Sequence, residues 1–205
     1  PSCTINTTST PLSSSVTETL LPTTHTVVPT LNPAQKMEQE EIKTIIEQYF
    51  DIYYQALSTS PPAAFEEKGF GDLISDLPEA RDFEEIEVAK LQGQAKYGEL
   101  NKLRYVDYKH TQEYDSYSSD QETGQVTVYL LDKAEVIRER SLEEDPNDPR
   151  VTILEFRHIV ILQKEGEDWS IVSDSYFDSW WQQFRKPGAT KEDILSAINT
   201  EKQKL

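Results

Sequence analysis

The sequence predicts an α+β fold, in which N-terminal helices pack in a curved antiparallel sheet of four strands. Between residues 37 and 103, apolar residues recur at spacings of three and four, which is typical of amphipathic helices. From residue 104 the apolar period changes to two, which indicates strands. The clearest element is residues 151–178, where two β-rich runs flank a polar turn at 165–168 and predict a hairpin.

Residues 1–36 differ from the rest of the chain in composition. They are rich in Ser, Thr and Pro, and they contain a single acid, Glu18, and a single base, Lys36. Such a segment buries too little apolar surface to offset the entropy that ordering would cost. We therefore predict a disordered tether over residues 1–36 and one folded α+β domain over residues 37–205.

The domain begins with a predicted helix over residues 37–57. Its apolar face consists of Ile42, Ile45, Ile46, Tyr49, Phe50, Tyr53 and Leu57. Pro61 and Pro62 follow and end the helix, because proline lacks a backbone donor. One or two helical turns are expected around Gly69 and Gly71. A longer helix is predicted over residues 79–102, with the apolar positions Phe83, Ile86, Ala89, Leu91, Tyr97 and Leu100.

Two strands precede the hairpin, over residues 104–117 and 125–140, with a bulge expected near Asp132 and Lys133. In the first of these strands, Val106, Tyr108, His110 and Tyr114 share one face. In the first strand of the hairpin, alternation places Leu154, Phe156, His158, Val160 and Leu162 on one face. That face should meet the core, with His158 as its lone polar residue. A capping box at residues 190–193 predicts a short final helix.

Charge and cysteine content exclude several classes of protein. The chain has 37 acids and 20 bases, for a formal net charge of −17, and such a surface repels phosphate backbones. We therefore expect no nucleic-acid partner. A single cysteine excludes an internal disulfide framework. No apolar run approaches the roughly 18 residues of a membrane span.

Motifs for metal, cofactor or nucleophile chemistry are missing from the sequence. There is no metalloprotease, P-loop or nucleophile-elbow pattern. The acidic loop with Glu143, Glu144, Asp145 and Asp148 lacks the glycine and terminal Glu of a calcium-binding loop. We therefore predict no metal, no cofactor and no catalytic residue.

One group of residues is a candidate pocket. Asp174, Tyr176 and Asp178 share a face of the last strand, and pairing of the hairpin would bring Asp174 toward His158. Tyr53 from the first helix and Trp180 complete the candidate ligand-binding set. Acids and tyrosines of this kind can act as base and oxyanion donors, so three roles stay open: structural hydrogen bonding, ligand contact and catalysis. Trp180 is either a lid over the core or a platform for a sugar.

The order of elements resembles the nuclear transport factor two-like cone, also called cystatin-like or SnoaL-like. The closing motif resembles more closely an extracytoplasmic module that precedes putative amidase domains in Gram-positive secreted proteins. It consists here of His158, Leu162, Lys164, Trp169, Ile171, Asp174, Tyr176 and Asp178. The resemblance covers residues 38–180 and implies a curved sheet around the first helix, with a pocket at its mouth. We expect no amidase activity, since the sequence ends at Leu205, soon after the motif.

Cys3 at the head of the tether resembles the lipidated cysteine of a bacterial lipoprotein after removal of its signal peptide. This resemblance implies a membrane anchor at Cys3 and an extracytoplasmic location. The alternative is an inert cysteine in the tail of a secreted protein. Pro1 is uncommon before such a cysteine, whereas Ser2 suits the position.

Three functions remain open from the sequence. The first is a non-catalytic binding module that is displayed on the tether and binds a protein, a cell-wall component or a small molecule. The second is a small enzyme of isomerase, dehydratase or hydrolase type, acting on a hydrophobic ligand in the cone. The third is a homodimeric scaffold without a ligand.

Overall fold

A computed structural model describes residues 32–58, 69–100, 105–139, 150–176 and 188–204. The described residues from Pro33 onward belong to one compact unit, Pro33–Leu205. The predictions for Cys3, Asp178 and Trp180 lie outside the described residues, as does the acidic loop at 141–149.

The architecture is α+β, as predicted. The elements are α1 (Pro33–Ser58), a short 3₁₀ helix (Gly71–Leu73), α2 (Pro78–Leu100), β1 (Tyr105–Ser119), β2 (Gln125–Arg138), β3 (Val151–Glu165), β4 (Asp168–Tyr176) and α3 (Lys191–Lys204). The four strands form one antiparallel sheet in the order β1-β2-β3-β4, so each strand pairs with its neighbour in sequence.

Helix α1 supplies the aromatic centre of the core. It begins at Pro33, within the last four residues that composition assigned to the tether. Proline suits the first turn of a helix, where its missing N–H would have no partner. The buried residues of α1 are Ile42, Ile46, Tyr49, Phe50, Tyr54 and Ala56, whereas Tyr53 is half-buried. The predicted face is therefore correct except that Tyr54, which was not assigned to it, is fully buried like Tyr49, whereas Tyr53 is not.

The sheet has an inner face toward the helices and an outer face on its other side. In β3 the even-numbered row faces inward, as predicted: His158, Val160 and Leu162 are buried, and Leu154 and Phe156 are half-buried. The inner row of β2 consists of Val126, Val128, Leu130, Asp132, Ala134 and Val136, all buried. Since side chains alternate, the odd-numbered residues of both strands form the outer face.

The bulge expected near Asp132 and Lys133 is wrong, because β2 pairs with β3 without a register shift through both residues. Register shifts lie instead in β1, between Tyr105 and Asp107 and between Tyr114 and Ser116, and in the pairing of β3 with β4, where Val172 is the extra residue. Each extra residue changes which face the following side chains occupy. Val106 is itself the extra residue between Tyr105 and Asp107, and it is 41% exposed although it was predicted on the inner face.

Helices α2 and α3 pack against each other beside the sheet. Ile194 and Ile198 of α3 bury themselves against Ile86 and Ala89 of α2. The predicted capping box is confirmed, since Thr190 Oγ1 accepts a hydrogen bond from the Asp193 N–H at 3.2 Å and Asp193 Oδ2 accepts one from the Thr190 N–H at 3.1 Å. Two apolar residues predicted on the buried face of α2 are instead exposed: Tyr97 (45%) and Leu100 (53%).

Candidate functional site

Asp174 joins α1 to the sheet at the centre of the candidate site. It lies on the inner face of β4 and accepts a hydrogen bond from the Tyr49 hydroxyl of α1 at 3.1 Å. Its carboxylate also meets the Nδ1 atom of His158 at 2.8 Å and 3.0 Å. A carboxylate can only accept here, so the His158 proton sits on Nδ1. Asp174 thus reaches His158 as the strand pairing predicts.

The His158 ring is enclosed by aromatic side chains. It stacks on Tyr176 with ring centroids 4.7 Å apart and meets the edge of Phe50 at 4.8 Å and that of Phe156 at 6.5 Å. Only 5% of the residue is exposed. Its Nε2 atom is buried and forms no hydrogen bond with any residue that the structure describes. A buried nitrogen in this state costs about 1–3 kcal/mol, which makes this atom the unusual feature of the site.

A second buried pair from α2 lies against the same aromatic residues. Lys90 and Glu87, at 0% and 2% exposure, form an ion pair one turn apart on the helix. Tyr176 donates a hydrogen bond to Glu87 Oε1 at 3.3 Å. The Lys90 ammonium lies 4.3 Å from the centre of the Tyr176 ring and 5.6 Å from that of Tyr53. The cation is therefore held by one carboxylate and two aromatic faces.

Burial shifts the pKa values of two side chains in this interior, Glu87 and Tyr49. It raises the pKa of the Glu87 carboxyl above its ordinary value, and the neighbouring Lys90 charge opposes the rise. Burial, followed by the negative charge of Asp174, raises the pKa of the Tyr49 hydroxyl well above its usual range. Tyr49 therefore stays protonated and continues to donate to Asp174 at pH values at which an exposed tyrosine would ionise.

A second polar network begins at Asp132 on β2 and leads to the surface. Asp132 accepts hydrogen bonds from the Tyr54 hydroxyl and, at 2.6 Å, from the Gln112 amide. Gln112 also meets His110 Nδ1 at 2.9 Å, and His110 Nε2 lies 3.2 Å from the exposed carboxylate of Asp51. Burial raises the pKa of Asp132, while the hydrogen bonds from Tyr54 and Gln112 lower it. This chain of contacts satisfies a carboxylate that is only 1% exposed.

The structure brings four of the predicted pocket residues together, and it adds partners that the sequence did not predict. Tyr53, His158, Asp174 and Tyr176 lie in one network, although Tyr53 joins through Lys90 rather than through His158. The added residues are Tyr49, Glu87 and Lys90. Tyr49 lies on the predicted apolar face of α1, so its position could have been found from the sequence. Glu87 and Lys90 are spaced like a solvated surface pair, and nothing in the sequence separates the two cases.

The polar groups of this site form hydrogen bonds and ion pairs with one another. Asp174 is occupied by Tyr49 and His158, and Glu87 by Lys90 and Tyr176. Within the described ranges, no cluster of three or more His, Cys, Asp or Glu side chains could hold a metal ion. The atom left to contact a ligand in the Asp174–His158 pair is Nε2, which would accept a hydrogen bond from a donor.

Comparisons with known proteins do not assign a family. No family model matches the chain, and no curated protein matches it. Among solved structures, the intermembrane space region of the chloroplast protein ARC6 is similar at 12% identity, with a TM-score of 0.44 over 74% of this chain and 100% of that one. Among the helices that the structure describes, none has the length and apolar character needed to cross a membrane.

Proposed function

We propose that this chain is a non-catalytic binding module, built on a nuclear transport factor two-like cone and displayed outside the cytoplasm on its N-terminal tether. The first part of the proposal, a binding module without catalysis, rests on one observation. The candidate acid and base, Asp174 and His158, are 4% and 5% exposed and bond to each other within the core. A catalytic pair has to reach a substrate, whereas this pair fixes α1 to the inner face of the sheet.

The cone is supported by how α1 meets the sheet. Phe50 of α1 packs edge-on against His158 in the middle of β3, and Tyr49 bonds to Asp174 of β4. Both contacts place the helix across the inner face, as the resemblance to the cone implies. The two irregularities in β1 favour curvature of the sheet at its edge, because bulges bend a strand.

The location outside the cytoplasm is supported by composition alone, through the Ser/Thr/Pro-rich residues 1–36 and Cys3. If Cys3 carries a lipid, Cys3→Ala releases the protein from membranes into the medium. Replacement of the neighbouring Ser2 by Ala is the matched control and leaves the protein on the membrane. Membrane retention of the Cys3→Ala variant would refute a lipid anchor at Cys3.

A second candidate function is the binding of a small apolar molecule in the interior, and the unpartnered His158 Nε2 favours it. The inner row of β3 changes from buried at His158 to half-buried at Phe156 and Leu154, so the interior becomes more accessible in that direction. A water molecule generally needs two to four polar partners. The rings of Phe50, Phe156 and Tyr176 around Nε2 supply few polar partners. An apolar ligand with one hydrogen-bond donor therefore suits this place better than a water molecule does.

A thermal-shift experiment on the full chain separates the two candidates. The probes are a saturated fatty alcohol, a phenolic steroid and a flavonoid, each with at least one hydroxyl donor. A ligand at 100 times its Kd stabilises by about 2.7 kcal/mol, which raises Tm by roughly 5–10 °C in a domain of this size. We expect no probe to raise Tm. A rise that is present in the wild type and lost in His158→Gln would move the ligand-binding site of the module from its surface to its interior.

A further inference from the structure

A polar network on the inner face of the sheet connects the buried Asp132 of β2 to the protein surface through Gln112 and His110 of β1. Gln112 lies directly across from Asp132 in the pairing of β1 with β2. Its amide nitrogen lies 2.6 Å from Asp132 Oδ1 and 2.9 Å from His110 Nδ1. An amide nitrogen carries two hydrogens, so Gln112 donates one to each of these atoms.

This donor pattern assigns the proton of the His110 ring. An Nδ1 atom that accepts a hydrogen bond from Gln112 carries no proton, so the proton of the neutral ring lies on Nε2. From there it is donated to Asp51 Oδ1 of α1, at 3.2 Å. His158 has the opposite tautomer, because its Nδ1 donates to Asp174. The two histidines of the inner face therefore differ in a property that NMR can measure.

The network holds a negative charge at its buried end. Asp132 is 1% exposed, whereas Asp51, at the other end, has 69% of its side chain exposed. Burial raises the pKa of Asp132, and the hydrogen bonds from Tyr54 and Gln112 oppose the rise. A proton on Asp132 Oδ1 would remove the buried charge. That proton would point at the Gln112 nitrogen, however, which is also a donor.

Rotation of the Gln112 amide by about 180° removes this conflict. The carbonyl oxygen then replaces the nitrogen and accepts from two donors, a protonated Asp132 Oδ1 and a protonated His110 Nδ1. A single proton would leave two donors or two acceptors facing each other, so uptake of one proton favours uptake of the other. In this state His110 Nε2 still donates to Asp51, and Tyr54 still donates to Asp132 Oδ2.

The other titratable groups around Asp132 and His110 come from three elements. They are Asp51 and Tyr54 of α1, Tyr108 and Tyr114 of β1 and His158 of β3. The pKa values of the three tyrosines are raised, chiefly by burial, so these groups stay neutral in acid. The Asp51 carboxylate favours a positive charge on His110. His158 acts in the other direction, since it lowers the pKa of Asp132, but the Asp174 carboxylate bonded to His158 opposes that effect.

We propose that Gln112 couples Asp132 and His110 in a pH-sensitive switch, which takes up two protons together when the surroundings become acidic. Helix α1 stays fixed to β1 in both states, because the contacts of Asp51 and Tyr54 persist. The switch replaces a negative charge in the core by a positive charge on His110, beside the exposed Asp51. Acid therefore changes the charge of the domain at this end of α1 without releasing the helix.

NMR titration of the full-length protein, with labelled histidine nitrogens and labelled aspartate carboxyl carbons, tests the switch. Near pH 8, His110 should show the Nε2–H tautomer and His158 the Nδ1–H tautomer. As the pH falls to about 4, His110 and Asp132 should change at one common midpoint, with a slope of about two protons. Gln112→Met keeps an unbranched side chain without the amide, so the two changes should separate and each slope should fall to about one. The control Gln163→Met removes an amide from the outer face of β3 and should leave the common midpoint unchanged.

Two results would overturn the switch. An Nδ1–H tautomer of His110 near pH 8 would contradict the donor pattern on which the coupling depends. Separate midpoints in the wild type, or a common midpoint that persists in Gln112→Met, would show that Gln112 does not couple the two residues. The tautomer and the common midpoint are both measured on the wild type, so they decide the matter even if Gln112→Met does not fold.

Discussion

Replacing His158 by alanine tests whether the candidate site holds the core together. The substitution removes the partner of Asp174 and leaves that carboxylate buried with only the Tyr49 hydroxyl. A buried carboxylate that loses its partner generally costs about 3–5 kcal/mol. The ring contacts with Phe50 and Tyr176 add to the loss, at about 0.5–1.5 kcal/mol each. Removal of the unpartnered Nε2 offsets about 1 kcal/mol of this loss of stability.

The net expectation is a loss of about 5 kcal/mol in the free energy of unfolding, measured by urea titration with far-UV circular dichroism. Arg157→Ala is the matched control, because Arg157 is the adjacent residue on the outer face and its ion pair with Asp115 is exposed. That control should cost no more than about 1 kcal/mol. If His158→Ala proves too unstable to measure, His158→Gln keeps a donor for Asp174 and gives a smaller loss.

A double-mutant cycle isolates the pair itself. The variants His158→Leu, Asp174→Leu and the combined change should show a coupling of about 2 kcal/mol, since neither group is left buried alone in the double variant. A cost below about 1 kcal/mol for His158→Ala, or a coupling near zero, would contradict a structural role for the pair. The site would then be better explained by ligand contact.

The buried ion pair on α2 gives a related prediction. Lys90→Met leaves the Glu87 carboxylate without its counter-ion and should lower the free energy of unfolding by about 3–5 kcal/mol, measured by denaturant titration. The double variant Glu87→Gln/Lys90→Met should lower it by less. Equal costs would mean that the charge left on Glu87 is not the cause. Stability should fall at alkaline pH, because the raised pKa values of Tyr49 and Tyr54 let the unfolded chain lose those protons first. The loss begins near pH 10, where unfolded tyrosine titrates, and grows by about 1.4 kcal/mol per pH unit for each tyrosine. Chemical denaturation between pH 8 and 11 checks this, and a flat profile would refute it. Gly124→Ala, in the turn between β1 and β2, should cost about 1 kcal/mol by thermal unfolding, because φ is 73° there; an unchanged Tm would contradict it.

Periodicity was sufficient to predict the elements, because each depends on local rules. The alternation in residues 151–165 placed His158 and Val160 on the inner face, and the capping box at Thr190 marked the start of α3. Two residues that periodicity placed on buried faces are exposed in the structure. Val106 is the extra residue of a bulge in β1 that no sequence signal marks, and α2 leaves Tyr97 exposed although its spacing fits the apolar face.

By itself, the sequence determined the α+β class, the order of helices and strands and the approach of Asp174 to His158, because all three follow from periods of 3.6 and 2 and from hairpin pairing. Only the tertiary structure decided what surrounds that pair. It brought Tyr49 onto Asp174 across 125 residues of chain, and it buried Glu87 and Lys90, whose spacing on the helix is that of an ordinary surface ion pair. Burial depends on which elements pack over a side chain, and this long-range information is not contained in any local pattern of residues.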